Sequence, residues 1–322
     1  MDRFEDLFTP RQLLALSTLA RLVSEAGDRS NESVGDSTLA AAVQVSLALS
    51  VNKIADLGNS MCPWEPVAEC PRNLFARQTI PVGWNFAEGV PTGESSGSWA
   101  VMIDRFCYVM AKIGSDWSMS IPQRASATEH PLPNDSAQAF ITDPPYYDAI
   151  PYADLSDFFY VWFRRSVHDC CTELLASNLT PKDQECIVDD AKGKDRAYFD
   201  ATMWVAMSEG RRVLSPEGIG VVVFANKTTA GWEAQLQAMI NAGWTITGSW
   251  PIDTEMASRF RARDSAALGS SVHIICRPRE NPDGSLRTDA IGEWRDVLDE
   301  LPGRIHEWMP RLAQEGVVGA DA

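Results

Sequence analysis

Apolar residues recur at helical spacing along the first third of the chain. Residues 11–26 and 37–57 carry leucine, valine and isoleucine three and four positions apart, and residues 99–113 repeat the pattern. This spacing places the apolar side chains on one face of an α-helix. Thr9-Pro10 precedes the first segment with a capping residue and a proline suited to the first helical position. The pattern predicts a mainly helical region over residues 1–117.

From residue 118 onward, short segments that favour strands alternate with helical segments. Continuous apolar runs between turn residues are typical of buried strands, and alternation of apolar and polar residues is typical of half-buried strands. The predicted strands are 121–127, 139–142, 219–224, 244–250 and 272–276. The predicted helices are 154–168, 196–214 and 231–243. Such alternation indicates an α/β region over residues 118–280.

The last two predicted strands follow each other without a helical segment between them. Strands joined in this way pair antiparallel, so we expect an antiparallel pair at the sheet edge. Ile219–Phe224 is instead a continuous apolar run, which is typical of a buried parallel strand, and Pro216–Gly218 predicts a turn before it. Residues 281–322 predict a C-terminal helical segment, with one or two helices over 291–316.

Length and composition favour a globular protein. The chain has 322 residues, of which 45% are hydrophobic, so it can form one large domain or two ordinary ones with a sizeable core. It has no apolar run of about 18 residues or more, so the sequence indicates no transmembrane helix and no membrane partner. Met1–Asp6 lacks the basic and apolar regions of a signal peptide. We expect a cytoplasmic protein.

The formal net charge of −16 at pH 7 argues against a protein that coats nucleic acid, because phosphate binding needs local lysine and arginine. The best candidates for a local DNA contact are Arg259, Arg261 and Arg263. The seven cysteines contain no Cys-x-x-Cys pair, and the chain has four histidines. The sequence therefore predicts no metal site, and it predicts reduced thiols in a cytoplasmic protein.

Asp143-Pro144-Pro145-Tyr146 directly follows the predicted strand 139–142. Two consecutive prolines restrict their own φ angles and bias the preceding residue to an extended conformation. We therefore expect Asp143 at the carboxyl end of a strand, where open α/β sheets bind their ligands. A carboxylate, a backbone carbonyl and an aromatic ring would lie close together there, a set that suits a planar amino group. The structural alternative is an ordinary strand-ending turn followed by a helix start.

This tetrapeptide after an apolar strand resembles the catalytic motif of amino-methyltransferases that act on adenine N6 in DNA. The longer run Asp143–Arg165 is more specific. With Leu7–Leu16, Asn73–Gln78 and Ser95–Trp99, it is similar to a family of large prokaryotic adenine-specific DNA methylases that also carry a zinc ribbon. The resemblance extends over nearly the whole chain. It implies the second half of a Rossmann-like methyltransferase sheet, preceded by the helical region.

The resemblance implies methylation of adenine N6 in DNA, with S-adenosyl-L-methionine as the methyl donor. Asp143 and the backbone carbonyl of Pro144 would accept the two N–H groups of the target amine. Pro145 would shape the loop, and Tyr146 would stack on a base flipped from the duplex.

Two further segments follow predicted strands. Ser126 and Ala127 stand where related enzymes contact the cofactor's adenine, although a structural role is equally open. Asn226–Thr229 follows the valine-rich strand, and it is open to a substrate contact or to a turn with a helix cap.

The family's cofactor loop, an Asp-Pro-Phe-x-Gly-x-Gly-like sequence, has no counterpart in these 322 residues. In the family, this loop and the zinc ribbon precede the part that is matched here. The resemblance therefore implies an internal and C-terminal portion of such an enzyme, whose partners are DNA and a second polypeptide that carries the Gly-rich loop. Two alternatives stay open: an inactive remnant or scaffold subunit of a DNA-modification system, and an amino-methyltransferase acting on RNA or protein. Aspartate rather than asparagine at the first motif position favours a nucleobase substrate.

Overall fold

The chain forms two compact units. A computed structural model describes residues 3–75, 85–113, 118, 120–148, 150–167, 169–226, 228–253 and 270–281, with isolated positions after these. The first unit combines Met1–Ile121 with Pro151–Glu185, and the second combines Pro122–Ile150 with Cys186–Ala322.

The first unit is mainly helical in its described residues. Its helices are α1 (Pro10–Val34), α2 (Ser37–Leu57), α3 (Trp99–Lys112) and α4 (Tyr152–Val167), and it has a short hairpin of β1 (Trp64–Glu65) and β2 (Cys70–Pro71). Thr9 accepts the N–H of Gln12 and Pro10 begins α1, as the sequence predicts. Helices α1, α2 and α4 pack around a core that includes Leu16, Val51 and Phe158.

Helix α4 lies in the first unit, whereas the sequence pattern predicts one α/β region over residues 118–280. Its Phe158 stacks on Phe8 with ring centroids 5.8 Å apart, and its Trp162 meets Phe8 edge to face at 5.4 Å. The chain therefore passes to the first unit at Pro151 and returns to the second at Cys186. The period of apolar residues predicts α4 itself, but it does not say which core the helix joins.

Helix α2 is the one helix of the described part that is long and apolar enough to cross a membrane, judged by length and composition alone. It contacts α1, α3 and α4. Ala48, Val51 and Ala55 on this helix are fully buried. Core helices pass the same test of composition, so the finding is weak evidence for a membrane span.

The second unit contains a four-stranded sheet. Its strands are β3 (Ala137–Thr142), β4 (Leu214–Phe224), β5 (Trp244–Asp253) and β6 (Ser270–Pro278), and its described helices are α5 (Arg196–Val213) and α6 (Thr229–Asn241). The strand order is β3-β4-β6-β5, with β3 parallel to β4 and with β6 antiparallel to both β4 and β5. The predicted antiparallel pair is confirmed. The protein is therefore of mixed α/β class.

Helices α5 and α6 form one apolar core with the sheet. The core includes Phe199 and Met207 from α5, Met239 from α6, and Val222 from β4, all buried. Helix α5 also meets Phe140 of β3 through Gly210, where a Cβ would lie 2.5 Å from the ring atom Cζ. Gly210 therefore permits a close approach of α5 to β3.

Strand β3 lies at one end of the sheet, and β4 is its only neighbouring strand in the described part of the chain. Ala139 is exposed and the side chain of Ile141 is 73% exposed. An apolar edge strand of this kind is a template for pairing with another strand.

Two predictions for this unit need correction. The strand predicted at residues 121–127 is wrong, because residues 121–126 have no regular structure and Ile121 is 90% exposed. Pro122 has no N–H to donate to a neighbouring strand. The turn predicted at Pro216–Gly218 lies inside β4, where an irregularity separates the pairs Ala137–Leu214 and Ala139–Ile219. The predicted helix at 291–316 falls largely outside the described residues.

Candidate functional site

The Asp143–Tyr146 motif begins where β3 ends, at Thr142. Because β3 and β4 are parallel, the motif lies at the same edge of the sheet as Asn226, which follows β4. Asp143 is exposed, Pro144 is buried, and Pro145 and Tyr146 are half-buried. The motif therefore lies at the carboxyl end of a parallel strand, as the sequence predicts. Its carboxylate is open to a ligand while the prolines anchor the loop.

Tyr146 is held through both its ring and its main chain. The ring meets Phe224 of β4 edge to face, with centroids 5.5 Å apart, and Phe224 meets Trp232 of α6 in the same way at 5.0 Å. The backbone carbonyl of Tyr146 accepts a hydrogen bond from Nδ2 of Asn226 at 3.4 Å. A row of three aromatic rings thus joins the motif to β4 and α6.

Tyr147 adopts a strained backbone conformation. Its φ is +59°, in the left-handed region that bulky residues rarely enter. Its N–H donates to the carbonyl of Pro145, and its own carbonyl accepts the N–H of Val188, both at 3.1 Å. Its ring packs edge to face on Phe199 at 5.0 Å. Strained backbone conformations persist only where surrounding contacts maintain them, and they are concentrated at functional sites. The conformation of Tyr147 therefore marks this loop as a candidate site. No sequence signal predicts it.

Asn226 is buried at the end of β4, with 7% of its surface exposed. Its Oδ1 accepts hydrogen bonds from the N–H and the hydroxyl of Thr228, both at 2.8 Å. Thr228 in turn caps α6 by accepting the N–H of Gly231. Of the two alternatives for Asn226–Thr229, the turn with a helix cap is the one that the structure contains. Lys227 lies outside the described residues.

Ser126 and Ala127 precede β3, whereas Asp143 follows it. Both are exposed, and the hydroxyl of Ser126 shares a hydrogen bond of 2.7 Å with that of Thr128. The backbone N–H of His130, three residues after Ala127, donates a hydrogen bond to Glu209. Glu209 lies near the end of α5, where β4 begins. The structure therefore places this segment towards the amino-terminal edge of the sheet and does not bring it to Asp143. Its hydrogen bonds are those of a surface turn.

Glu209 and Arg212 hold the segment that leads into β3. Arg212 donates to the carbonyl oxygens of His130 and Leu132 at 2.8 and 3.0 Å. Glu209 accepts hydrogen bonds from Arg212 and from the N–H of His130, between 2.8 and 2.9 Å. The side chain of Arg212, and next the N–H of His130, lower the pKa of Glu209 to about 2. This pair has a structural role, because it fastens the loop before β3 to α5.

The remaining expectations from the sequence concern DNA contacts and metal binding. Arg259, Arg261 and Arg263, the candidate DNA contacts, lie outside the described residues. Within the described part, no group of three or more histidine, cysteine, aspartate or glutamate side chains could hold a metal ion.

The exposed carboxylate of Asp143 at the end of β3 can accept a hydrogen bond from an amino group. Ser126 and Ala127 lie away from Asp143, and no Gly-rich loop follows a strand in the described part of the chain.

No protein-family model matches the chain, and no curated protein matches it.

Proposed function

We propose that the chain is the target-base part of an S-adenosylmethionine-dependent DNA adenine-N6 methyltransferase. The observation that carries the proposal is the Asp143–Tyr146 motif at the carboxyl end of β3, with Asp143 exposed. The element order β3, α5, β4, α6 and the antiparallel β5–β6 pair supports it. The resemblance implies this order for the second half of a Rossmann-like methyltransferase sheet.

In the proposed reaction, Asp143 and the carbonyl of Pro144 each accept one N–H of the adenine N6 amino group. This nitrogen is a poor nucleophile because its lone pair is delocalised into the ring, and two acceptors draw it towards tetrahedral geometry. A hydrogen bond to a charged group contributes roughly 1.5–3 kcal/mol. Tyr146, half-buried against Phe224, offers the remaining part of its ring to the flipped base.

The proposal includes a second polypeptide that carries the Gly-rich loop and holds the cofactor. The outer edge of β3 supports it, because a strand added there in parallel would end beside Asp143. The exposed side chain of Ile141 gives such a strand an apolar contact. Strand addition to a sheet edge is a common mode of recognition, in which main-chain hydrogen bonds supply the affinity.

The proposal predicts that Asp143→Ala abolishes methylation in a reconstituted complex. Loss of about 3 kcal/mol of transition-state stabilisation lowers the rate at least about a hundredfold. The measurement is N6-methyladenine formation in DNA by mass spectrometry. Asp148→Ala removes an exposed carboxylate from the same loop, and as the matched control it should retain most of the activity. Near-normal methylation by Asp143→Ala would remove the aspartate from the reaction.

An inactive scaffold subunit is the second candidate. The position of Ser126 and Ala127 away from Asp143 favours it. A scaffold subunit would hold the complex together while another subunit carried out methylation. Mutation of Asp143 in the scaffold would then leave the methylation rate unchanged. The comparison of Asp143→Ala with Asp148→Ala therefore separates the two functions.

A further inference from the structure

Asn226 connects the motif loop to the start of α6, although 80 positions separate it from Tyr146. The N–H of Thr228 can only donate, so the atom of Asn226 that faces it must be the oxygen Oδ1. The amide nitrogen Nδ2 must then face the carbonyl of Tyr146, as the structure has it. The neighbours of Asn226 therefore determine the orientation of its side chain.

The first turn of α6 is built around this side chain. A Cβ at Gly231 would lie 2.5 Å from both Cγ and Nδ2 of Asn226, so glycine leaves the space that the amide occupies. Trp232 donates its indole N–H to the backbone carbonyl of Asn226 at 2.9 Å. The same indole ring packs on Phe224, which packs on Tyr146. The motif and the helix start thus share one set of contacts.

We infer that Asn226 is a positioning residue for the Asp143–Tyr146 motif. Its amide holds the carbonyl of Tyr146, and this bond sets the path of the main chain between exposed Asp143 and strained Tyr147. Because Asn226 is buried, loss of its donor leaves the carbonyl facing a group that cannot satisfy it. The catalytic consequence rests on the proposed function, whereas the hydrogen bond itself does not.

The experiment uses the fact that Tyr146-Tyr147 is the only Tyr-Tyr pair in the sequence. The 322-residue protein with ¹³C at tyrosine carbonyls and ¹⁵N at tyrosine amides gives a single carbonyl-to-amide correlation in an NMR spectrum. That correlation reports the carbonyl of Tyr146. Asn226→Asp keeps an acceptor for Thr228 but replaces the amide donor with an oxygen, so we expect the carbonyl resonance to shift.

Two further variants complete the test. Gly231→Ala should shift the same resonance, because its methyl group displaces the amide of Asn226. Asp36→Ala removes the cap of α2 in the first unit, so it should lower the Tm while leaving the Tyr146 carbonyl resonance in place. If Asn226→Asp does not fold, Gly231→Ala decides the question. An unchanged resonance in a folded Asn226→Asp or Gly231→Ala protein overturns the inference, as does an equal shift in Asp36→Ala.

Activity gives a separate readout. In a reconstituted active complex, Asn226→Asp should lower kcat about tenfold with little change in KM for DNA, since one hydrogen bond contributes about that factor. Unchanged kcat would contradict a positioning role. An inactive wild-type complex would count against the proposed function, and the NMR result would still decide whether Asn226 holds Tyr146.

Discussion

Glu209 couples its ionisation to the fold through Arg212 and the N–H of His130. Together they lower its pKa from 4.5 to about 2. A carboxylate whose pKa is lower in the folded state stabilises the protein fully above about pH 4.5, and this stabilisation is lost as the pH falls towards about 2. Glu209→Gln should therefore lower the free energy of unfolding at neutral pH by about 1 kcal/mol, the upper range for partly exposed ion pairs.

Urea unfolding at several pH values measures this contribution. The difference in unfolding free energy between wild type and Glu209→Gln should be largest at neutral pH and should shrink as the pH falls below about 4.5. Glu217→Gln changes an exposed acid on β4, and it should leave the free energy nearly unchanged. A difference for Glu209→Gln that does not depend on pH would contradict the assignment.

The sequence predicts the Asp143–Tyr146 motif at the end of its strand, because the prolines and the apolar run before them are local signals. It does not predict the contact of Asn226 with Tyr146 or the left-handed conformation of Tyr147. The first depends on residues that the pairing of β3 with β4 brings together, and the second on contacts of Tyr147 with Val188 and Phe199. Local patterns carry no information about such contacts.

At the scale of elements, the docking of α5 on β3 depends on Gly210. A methyl group there would overlap the ring of Phe140, which stacks on Trp244 with centroids 5.6 Å apart. Overpacking costs about 1–3 kcal/mol, against about 1 kcal/mol that alanine gains over glycine in a helix. We expect Gly210→Ala to lower the free energy of unfolding.

Thermal and urea unfolding measure this effect. Gly89→Ala is the matched control, because a Cβ at Gly89 meets nothing closer than 3.9 Å. That variant should be nearly neutral. A stabilised Gly210→Ala protein would show that α5 can move away from β3 at little cost.

The elements themselves were largely predictable, since long apolar periods identify α1, α2, α5 and α6. The strand predicted at 121–127 did not form, because the segment is not a continuous apolar run and Pro122 has no N–H to donate to a neighbouring strand. Strand β4 begins earlier than its apolar run, at Leu214, because its irregularity accommodates Pro216 within the strand. The sequence of Pro216–Gly218 alone fits either a turn or an irregularity in a strand, and only the pairing with β3 distinguishes the two.

At the scale of the whole molecule, we expect the open edge of β3 to control self-association of the chain. Ile141 is 73% exposed there, and lysine on an edge strand opposes strand pairing. Ile141→Lys should therefore reduce self-association, while the free energy of unfolding stays within about 0.5 kcal/mol of wild type. Sedimentation velocity over a range of concentrations checks the first expectation.

Ile113→Lys is the matched control, because Ile113 is also exposed but follows α3 in the first unit. It should leave the self-association of the wild type unchanged. Equal effects of the two lysines would indicate that added charge, rather than the edge of β3, controls association.

The division of the whole chain was predictable only in outline. The spacing of apolar residues predicts a helical region followed by an α/β region. It does not predict that residues 151–185 belong to the helical unit. The partners of helix α4 in the core of the first unit, such as Phe8, lie far away in the sequence. The proposed cofactor-binding partner likewise leaves no local signal beyond an exposed edge strand.

Isothermal titration of the purified, monomeric chain with S-adenosylmethionine tests the central claim most directly, namely that the chain holds the target-base motif but not the cofactor site. We predict weak binding or none in the absence of a partner polypeptide. One-to-one binding at micromolar affinity, about −8 kcal/mol, would contradict the account. It would show that these 322 residues form a complete cofactor site.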